Sequence, residues 1–554
     1  MSALDFGARG VAVQAIAAQP ALMAECATRN IPPAVGRLHT AGRTAAGTDA
    51  GSYISDALCD AALLAAHPRF VFQTANGRIF RLMAEAGAIT VEQGGAAGVA
   101  GTNDQPAIQA TINYAQAIGA REVHFGGKFY ELWCPQRTSY FSSSNAADGH
   151  PIVISKSLSL CGIAPTRTTL SFKGLNGVDP VANWQVVDYS AGDGTDYVWR
   201  GGGIRVLGDS AVNAPATLTV DRVELHRLIL QGNRPRTASH AWPASTVTGD
   251  GWDISDKAFW LQDNWIGDIV CTDTDMIGWR GEIFCLLGST RPARRLTLDR
   301  CRFLTTNADA LNIGMPVPYV ARDCEFGDAY QAEESTGTMS GRYVNCIWRD
   351  SEQVWMGGAQ AIVVAGYPYG YPQRDNAAQA PLISIEGGEF RNISGTVDIG
   401  SWTRGTFRTV DAKLGFSVTN RGALQDIVLD VEMWLDQMTG TPIPVGLFGP
   451  DNLTTQVGGA PVGVYRSPPS NVHLRIAARR TKLAKDNNRH WGRIQWNGYI
   501  DRSCRIIVDG LEYSHANSPA TTSYPPVSHP YVELRDGQYT TGFVPHGGIS
   551  HRAG

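Results

Sequence analysis

The chain has 554 residues, 43% of them apolar, 61 glycines, and a net charge of −4 in which both signs are mixed. The apolar share supplies a sizeable core, while the charge lacks the basic footprint of a nucleic-acid binder. No apolar run approaches the about 18 residues of a membrane-spanning helix, and the first ten residues lack the basic and apolar regions of a conventional signal peptide.

Residues 1–69 are rich in alanine and poor in strand pattern, with a helix expected around Gln14–Cys26 and punctuation at Ile31 to Pro33 and Gly47 to Gly51. They read as an N-terminal head or attachment region. Residues 70–123 hold a lead-in and one amphipathic helix over 104–118. Asp104 or Asn103 can cap it, and Pro106 suits its first turn. Ile108, Thr111, Ile112, Ala115 and Ile118 make one apolar stripe, and Gly119 ends the helix.

Short strand-like segments then recur over 124–515, among them 152–154, 158–160, 217–220, 223–230, 296–303, 319–326, 342–348, 382–390 and 424–434. Short repeats broken by insertions are the pattern of solenoid rungs, and a lone helix ahead of them plugs the open core of the first rung. Residues 516–554, rich in Pro, Tyr, Ser and His, read as a C-terminal cap or tail.

The ten cysteines show neither zinc-type spacing nor a disulfide framework. Cys301, Cys324 and Cys346 recur in a similar frame, one per rung. They read as free thiols stacked in the interior, with a reactive or metal-binding trio as the alternative. The lone histidines, such as His150 and His226, have no ligand spacing, and no cofactor motif is present, so no metal or cofactor is expected.

The order Asn103-Asp104-x-x-Ala107-Ile108-Gln109-Ala110-x-Ile112, glycine, strand, Gly126-Gly127, strand resembles the opening of the right-handed parallel β-helices of the pectate-lyase superfamily. The preceding Phe70 to Leu82 and Gly94-Gly95-Ala96 are similar to the lead-in of bacteriophage tailspikes. The resemblance implies an all-β fold: a right-handed single-stranded parallel β-helix with an N-terminal capping α-helix and a small N-terminal head. It implies a homotrimer on a virion tail or otherwise extracellular, with the N-terminal region reaching the tail or baseplate. It implies a bacterial polysaccharide as partner, and the charge and the apolar runs read above leave neither nucleic acid nor membrane expected. It does not imply one chemistry, since this fold carries lyases, hydrolases, epimerases and pure binders. The Gly-His-Gly and Arg-Ile-Lys motifs of polygalacturonases and the Arg-x-Pro-x-x-Arg motif of pectate lyases are absent, so neither family's catalytic residues carry over.

Aligning rungs on their strand text sets Gly249 to Ile254 over Ala308 to Ile313, with Arg280 to Phe284, Gln331 to Ser335 and Asp350 to Glu352 as neighbouring rungs. One face is then expected to carry Asp250, Glu282, Asp309, Glu333 or Glu334, and Asp350 or Glu352. Neighbouring strands lie about 4.8 Å apart, and alternate ones about 9.6 Å apart. Retaining glycosidases hold their carboxyl pair at about 5–5.5 Å and inverting ones at about 6.5–9.5 Å. Stacked like charges also keep one carboxyl protonated, as a general acid requires. Asp309, Glu282, Glu333 and Glu334 are the candidate catalytic residues, with Asp309 central and a single-displacement pair spanning two rungs. Turn residues making Asx bonds, a solvated acidic surface, and a cation site are the alternatives for the same column.

Tryptophans cluster in the same rungs: Trp242, Trp252, Trp260, Trp265 and Trp279, then Trp348 and Trp355. Indole faces suit sugar rings. The candidate substrate-binding residues are Asp250, Trp252, Trp279, Arg280, Glu352 and Trp355. The leading expectation is an endo-acting glycoside hydrolase of tailspike type that depolymerises a bacterial surface polysaccharide or exopolysaccharide. A lyase or epimerase acting on uronic acids ranks second, because lysine is scarce near the column. A non-catalytic glycan-binding spike or adhesin is third.

Overall fold

The computed structural model describes residues 22–42, 50–134 and 150–174, the greater part of 202–233 and 257–335, and 340–356 and 382–393, with the backbone of the strands alone beyond that. The expected helix around Gln14–Cys26 lies largely outside these residues; a short helix runs Met23–Ala27. Strands Arg37–Thr40, Gly51–Ile54, Val71–Gln73 and Ile79–Leu82 form a small antiparallel sheet, closed over Tyr53, Phe72 and Phe80. Among the described residues no helix is long and apolar enough to cross a membrane.

From Ala88 onward the chain is a right-handed parallel β-helix. Each rung offers three strands to three faces. The first face runs through Glu122–His124, Leu158–Cys161, Arg222–His226, Ile266–Thr272 and Ala293–Asp299. The second runs through Phe129–Trp133, Thr168–Lys173, Leu228–Gln231, Asp275–Trp279 and Arg302–Thr306. The third runs through Ile152–Ile154, Ile204–Val206, Phe259–Gln262, Phe284–Leu287 and Asp309–Gly314. In Glu325–Ser335 and Ile347–Met356 one long strand serves the second and third faces, whereas Leu382–Ile393 serves the first and second and Val397–Ile399 the third. In-register aromatics fill the interior: Phe303, Phe326, Trp348 and Phe390 follow one another up the second face. Residues 217–220, expected as a strand, are instead irregular, because Thr219 bonds the Asp209 carboxylate through its N–H at 2.8 Å and its hydroxyl at 2.6 Å.

The corners are built from left-handed residues. Between the first and second faces Arg227, Asp273, Arg300, Asp323 and Asn345 all have φ between 49° and 54°. Between the second and third, Thr305, Asp328, Asp350 and Asn392 do the same, with φ from 48° to 67°. Asp and Asn tolerate this region, and their side chains bond along the stack: Asn345 donates to Asp323 at 3.1 Å and Asn392 to Asp350 at 2.8 Å. Cys301, Cys324 and Cys346 follow three of these first-corner residues and are buried free thiols, as the repeated frame indicated.

The helix Gln105–Ile118 covers the open end. Ile108, Thr111, Ile112 and Ala115 are buried, and Gly119 ends it at φ 71°. Asp104 does not cap the helix; its carboxylate accepts from the N–H groups of Ala97 and Gly98 at 2.6 and 3.0 Å. The glutamines do more than solvate the other face. Gln109 accepts from the N–H of Val153 at 2.8 Å and donates to its carbonyl at 3.1 Å. Gln105 donates to the Pro151 carbonyl, and Gln116 accepts from the N–H groups of Ser155 and Lys156. The exposed edge of the first third-face strand is thereby satisfied, which removes a template for strand addition.

Candidate active site on the third face

Register assigns the column. Phe259, Phe284 and Leu311 pair in successive rungs and point inward. Two residues before each stand Lys257, Glu282 and Asp309, at the corner where the second face turns into the third. Asp309 then pairs with Gln331, and Gln331 with Gln353. One residue past the inward position is a second, outward column: Arg205, Trp260, Cys285, Asn312 and Glu334, with the backbone of Trp355 next in register.

These columns meet in one cluster. Lys257 and Glu282, with side chains 0% and 1% exposed, form an ion pair. Asp309 is fully buried, and Asn312 donates to its Oδ2 at 3.1 Å. Asn312 also reaches Glu334 Oε2 at 3.5 Å, a longer and weaker contact. Oδ1 of Asp309 is buried with no hydrogen-bond partner among the described residues. Burial holds the Asp309 carboxyl well above its usual range, and the charges of Glu334 and Glu282 push it further the same way. Asp309 is thus displaced toward its neutral, proton-donating form. Arg205 lies 4.2 Å over the Trp260 ring, and Lys257 Nζ is 5.6 Å from the same centroid.

Glu282, Asp309 and Glu334 are brought together as expected from the rung alignment, but Glu333 is not. Glu333 occupies the inward position of Leu311 and faces the core. It accepts from Tyr319 at 2.7 Å and from Trp348 at 2.8 Å, and also from Ser335 and Tyr343. Burial pushes its carboxyl up to about 8, even though Ser335 and Trp348 favour the charged form. Asp350 is a corner residue rather than a member of the column. Trp279 lies within the wall, 2% exposed, with its indole N–H on the Leu230 carbonyl at 3.1 Å and its ring against Phe172. Trp265 is likewise buried, and its N–H bonds the Ala211 carbonyl. Asp250, Trp252 and Arg280 lie outside the described residues, as do the side chains of Glu352 and Trp355.

Sequence reasoning missed Lys257, which holds the place assigned to Asp250, and it missed Asn312 and Arg205. The signal was present in the inward pairs. Lys257-Ala-Phe-Trp-Leu261, Glu282-Ile-Phe-Cys-Leu286, Asp309-Ala-Leu-Asn-Ile313 and Gln331-Ala-Glu-Glu-Ser335 are one repeated frame. Lysine is therefore part of the column, and its scarcity is no argument against a uronate substrate.

No family model matches the chain, and no curated protein matches its sequence. Similar solved structures include the A-modules of two Azotobacter vinelandii mannuronan C-5 epimerases. They are 13% and 12% identical over 82% and 84% of this chain and 100% of theirs, with TM-scores of 0.45 and 0.42. The enzymatically active domain of a bacteriophage tailspike is 12% identical over 88% of this chain and 57% of its own, with a TM-score of 0.34. These likenesses transfer neither a residue nor an activity to this chain.

Proposed function

We propose that the chain is a polysaccharide depolymerase that hydrolyses glycosidic bonds of a bacterial surface polysaccharide or exopolysaccharide, with Asp309 as general acid and Glu334 as its partner carboxylate. The observation that carries this reading is the bridge through Asn312. Legs of 3.1 and 3.5 Å put the two carboxylate oxygens no more than about 6.6 Å apart. The Asp309 and Glu334 carboxyls also hydrogen-bond directly, so the pair stands closer to the about 5–5.5 Å of double displacement than to the about 6.5–9.5 Å of single displacement. This favours a pair on adjacent rungs over the two-rung pair expected from sequence.

In this scheme Asp309 gives its proton to the leaving glycosidic oxygen, and Glu334 attacks the anomeric carbon to form a glycosyl ester. Asp309, now ionised, draws a proton from the water that hydrolyses it. Lys257 neutralises Glu282, so the site tolerates a third carboxyl without expelling it. Trp260, on the outer column, is buried beneath Arg205 and shapes the wall of the site. The enzyme works as a homotrimeric spike on a virion tail or in the extracellular medium.

The place of Lys257 and Arg205 beside Trp260 favours one second reading, a lyase or epimerase in which cations offset a uronate carboxylate while a base takes the C5 proton. Reducing-end release from a panel of bacterial capsular polysaccharides and exopolysaccharides, by the full chain and by Asp309→Asn and Glu334→Gln, tests the proposal. Turnover lost in both variants with glycan binding kept supports it. Unsaturated ends absorbing in the ultraviolet, or inverted C5 stereochemistry without cleavage, replace it with the second reading. Binding without turnover in the parent chain reduces the protein to an adhesin.

A further inference from the structure

Two rungs below the carboxylate cluster, on the first face, a different set of side chains converges. Glu122 and His124 are two apart on the strand Glu122–His124 and therefore lie on the same side, while Val123 between them is buried. Register places Cys161 of the neighbouring strand beside His124. One donor atom from each of Glu122, His124 and Cys161 falls within 4.8 Å of the others. Glu122 Oε2 and His124 Nε2 are 2.5 Å apart. The glutamate and imidazole are partly exposed, with 45% and 40% of their side-chain surface open, so an ion can reach them.

We propose that Glu122, His124 and Cys161 bind a divalent transition metal ion, with zinc the best match, in a site that clamps the first full rung of the solenoid to the next. Carboxylate, imidazole and thiolate are the zinc donor set, bonded at about 2.0–2.3 Å. Donors on one tetrahedral zinc stand about 3.3–3.8 Å apart, so small rotamer changes from the present separations complete the site. Glu122 moves back from the imidazole by under about 1.5 Å, and a water takes the fourth position. The thiol proton leaves to solvent as the Zn–S bond forms, and thiolate plus carboxylate cancel the ion's two charges. Without the ion, burial and the Glu122 charge push Cys161 up to about 12, so the thiol stays protonated and spectroscopically silent. The next rung carries His226 in register with Cys161. Its partner Glu224, at 3.6 Å, is itself held by Ser159 at 2.5 Å. Those side chains wall the site without being needed as ligands. The sequence does not display the set, because two donors lie in one rung and the third arrives from a strand nearly forty residues on.

The test is a titration of the metal-stripped full chain with cobalt(II) chloride, read by thiolate-to-cobalt charge-transfer absorbance, and with zinc chloride, read by calorimetry and thermal unfolding. One equivalent, a charge-transfer band and a raised Tm are expected. Cys161→Ser should abolish the band, and His124→Ala and Glu122→Gln should each weaken zinc by more than about tenfold. Glu122→Gln changes a partly exposed side chain, so the fold persists where Cys161→Ser fails to fold. Cys59→Ser, in the N-terminal region, should behave as the parent chain. No band in the parent chain, or a band kept in Cys161→Ser and lost in Cys59→Ser, overturns the proposal.

Discussion

Glu333 and Glu334 are adjacent in sequence and face opposite sides of one wall: Glu333 is held inside by Tyr319 and Trp348, and Glu334 is within reach of Asn312 outside. Strand alternation alone separates them. Their variants should therefore fail differently. Glu334→Gln should lower turnover by about 10²–10⁴-fold with little change in Tm, whereas Glu333→Gln should alter stability and leave turnover within a few-fold. Parallel activity assays and melting curves check the split.

Glu333 also makes stability depend on pH. Its folded carboxyl is pushed up to about 8 from an ordinary 4.5. Between those values the unfolded chain has released a proton that the folded chain retains. The stabilisation is thus fully present below the lower value and is lost as pH rises through the upper one. At about 1.4 kcal/mol per pH unit, the whole effect is at most a few kcal/mol. Denaturant unfolding of the parent chain should give falling stability from pH 5 to 8, and Glu333→Gln should flatten that slope.

Glu282 tunes Asp309 through charge. Removing the Glu282 carboxylate in Glu282→Gln deletes one of the two anions that raise Asp309 and leaves Lys257 positive beside it. Both changes lower the Asp309 carboxyl. A general acid is active only while protonated, so the alkaline limb of the kcat/KM profile should move to lower pH. An unmoved limb in an active, folded variant would show that Asp309 is not the acid.

The plug offers a stability test separate from chemistry. Gln109→Leu keeps the helix but strips both bonds from the backbone of Val153. Each buried group left unsatisfied costs about 1–3 kcal/mol. Lower thermal stability, faster amide exchange at Val153 and greater self-association through the bared edge are expected.

The strand periodicity, the plug helix and the interior thiols were legible because each is a local pattern repeated in the text. The apolar stripe from Ile108 to Ala115 needed only helical spacing, and Cys301, Cys324 and Cys346 needed only a recurring frame. The site was half legible. Glu282 and Asp309 fell into register when acidic residues were aligned, yet the same rule took Asp250 for Lys257 and set Glu333 beside Glu334. Register is set by what faces inward, and Phe259, Phe284 and Leu311 define it while the charged residues follow. Glu333 broke the pattern by placing a carboxyl where its neighbours place apolar groups, a substitution tolerated because Tyr319, Tyr343, Ser335 and Trp348 all donate to it.

Stereochemistry follows from the same bridge through Asn312. A carboxyl pair this close leaves little room for a water between Glu334 and the anomeric carbon on the ring face opposite the acid. Attack by Glu334 itself is the remaining route, and two inversions at one carbon restore the starting configuration. Proton NMR of the first product released from a cleaved polysaccharide should show the substrate's own anomeric configuration, before mutarotation mixes the two. Slowing the second step with a fluorinated sugar analogue should leave a mass increment on the peptide carrying Glu334, and Glu334→Gln should lose it. First-formed product of opposite configuration would instead assign single displacement and move the base to a more distant carboxylate, with Glu282 next in the column.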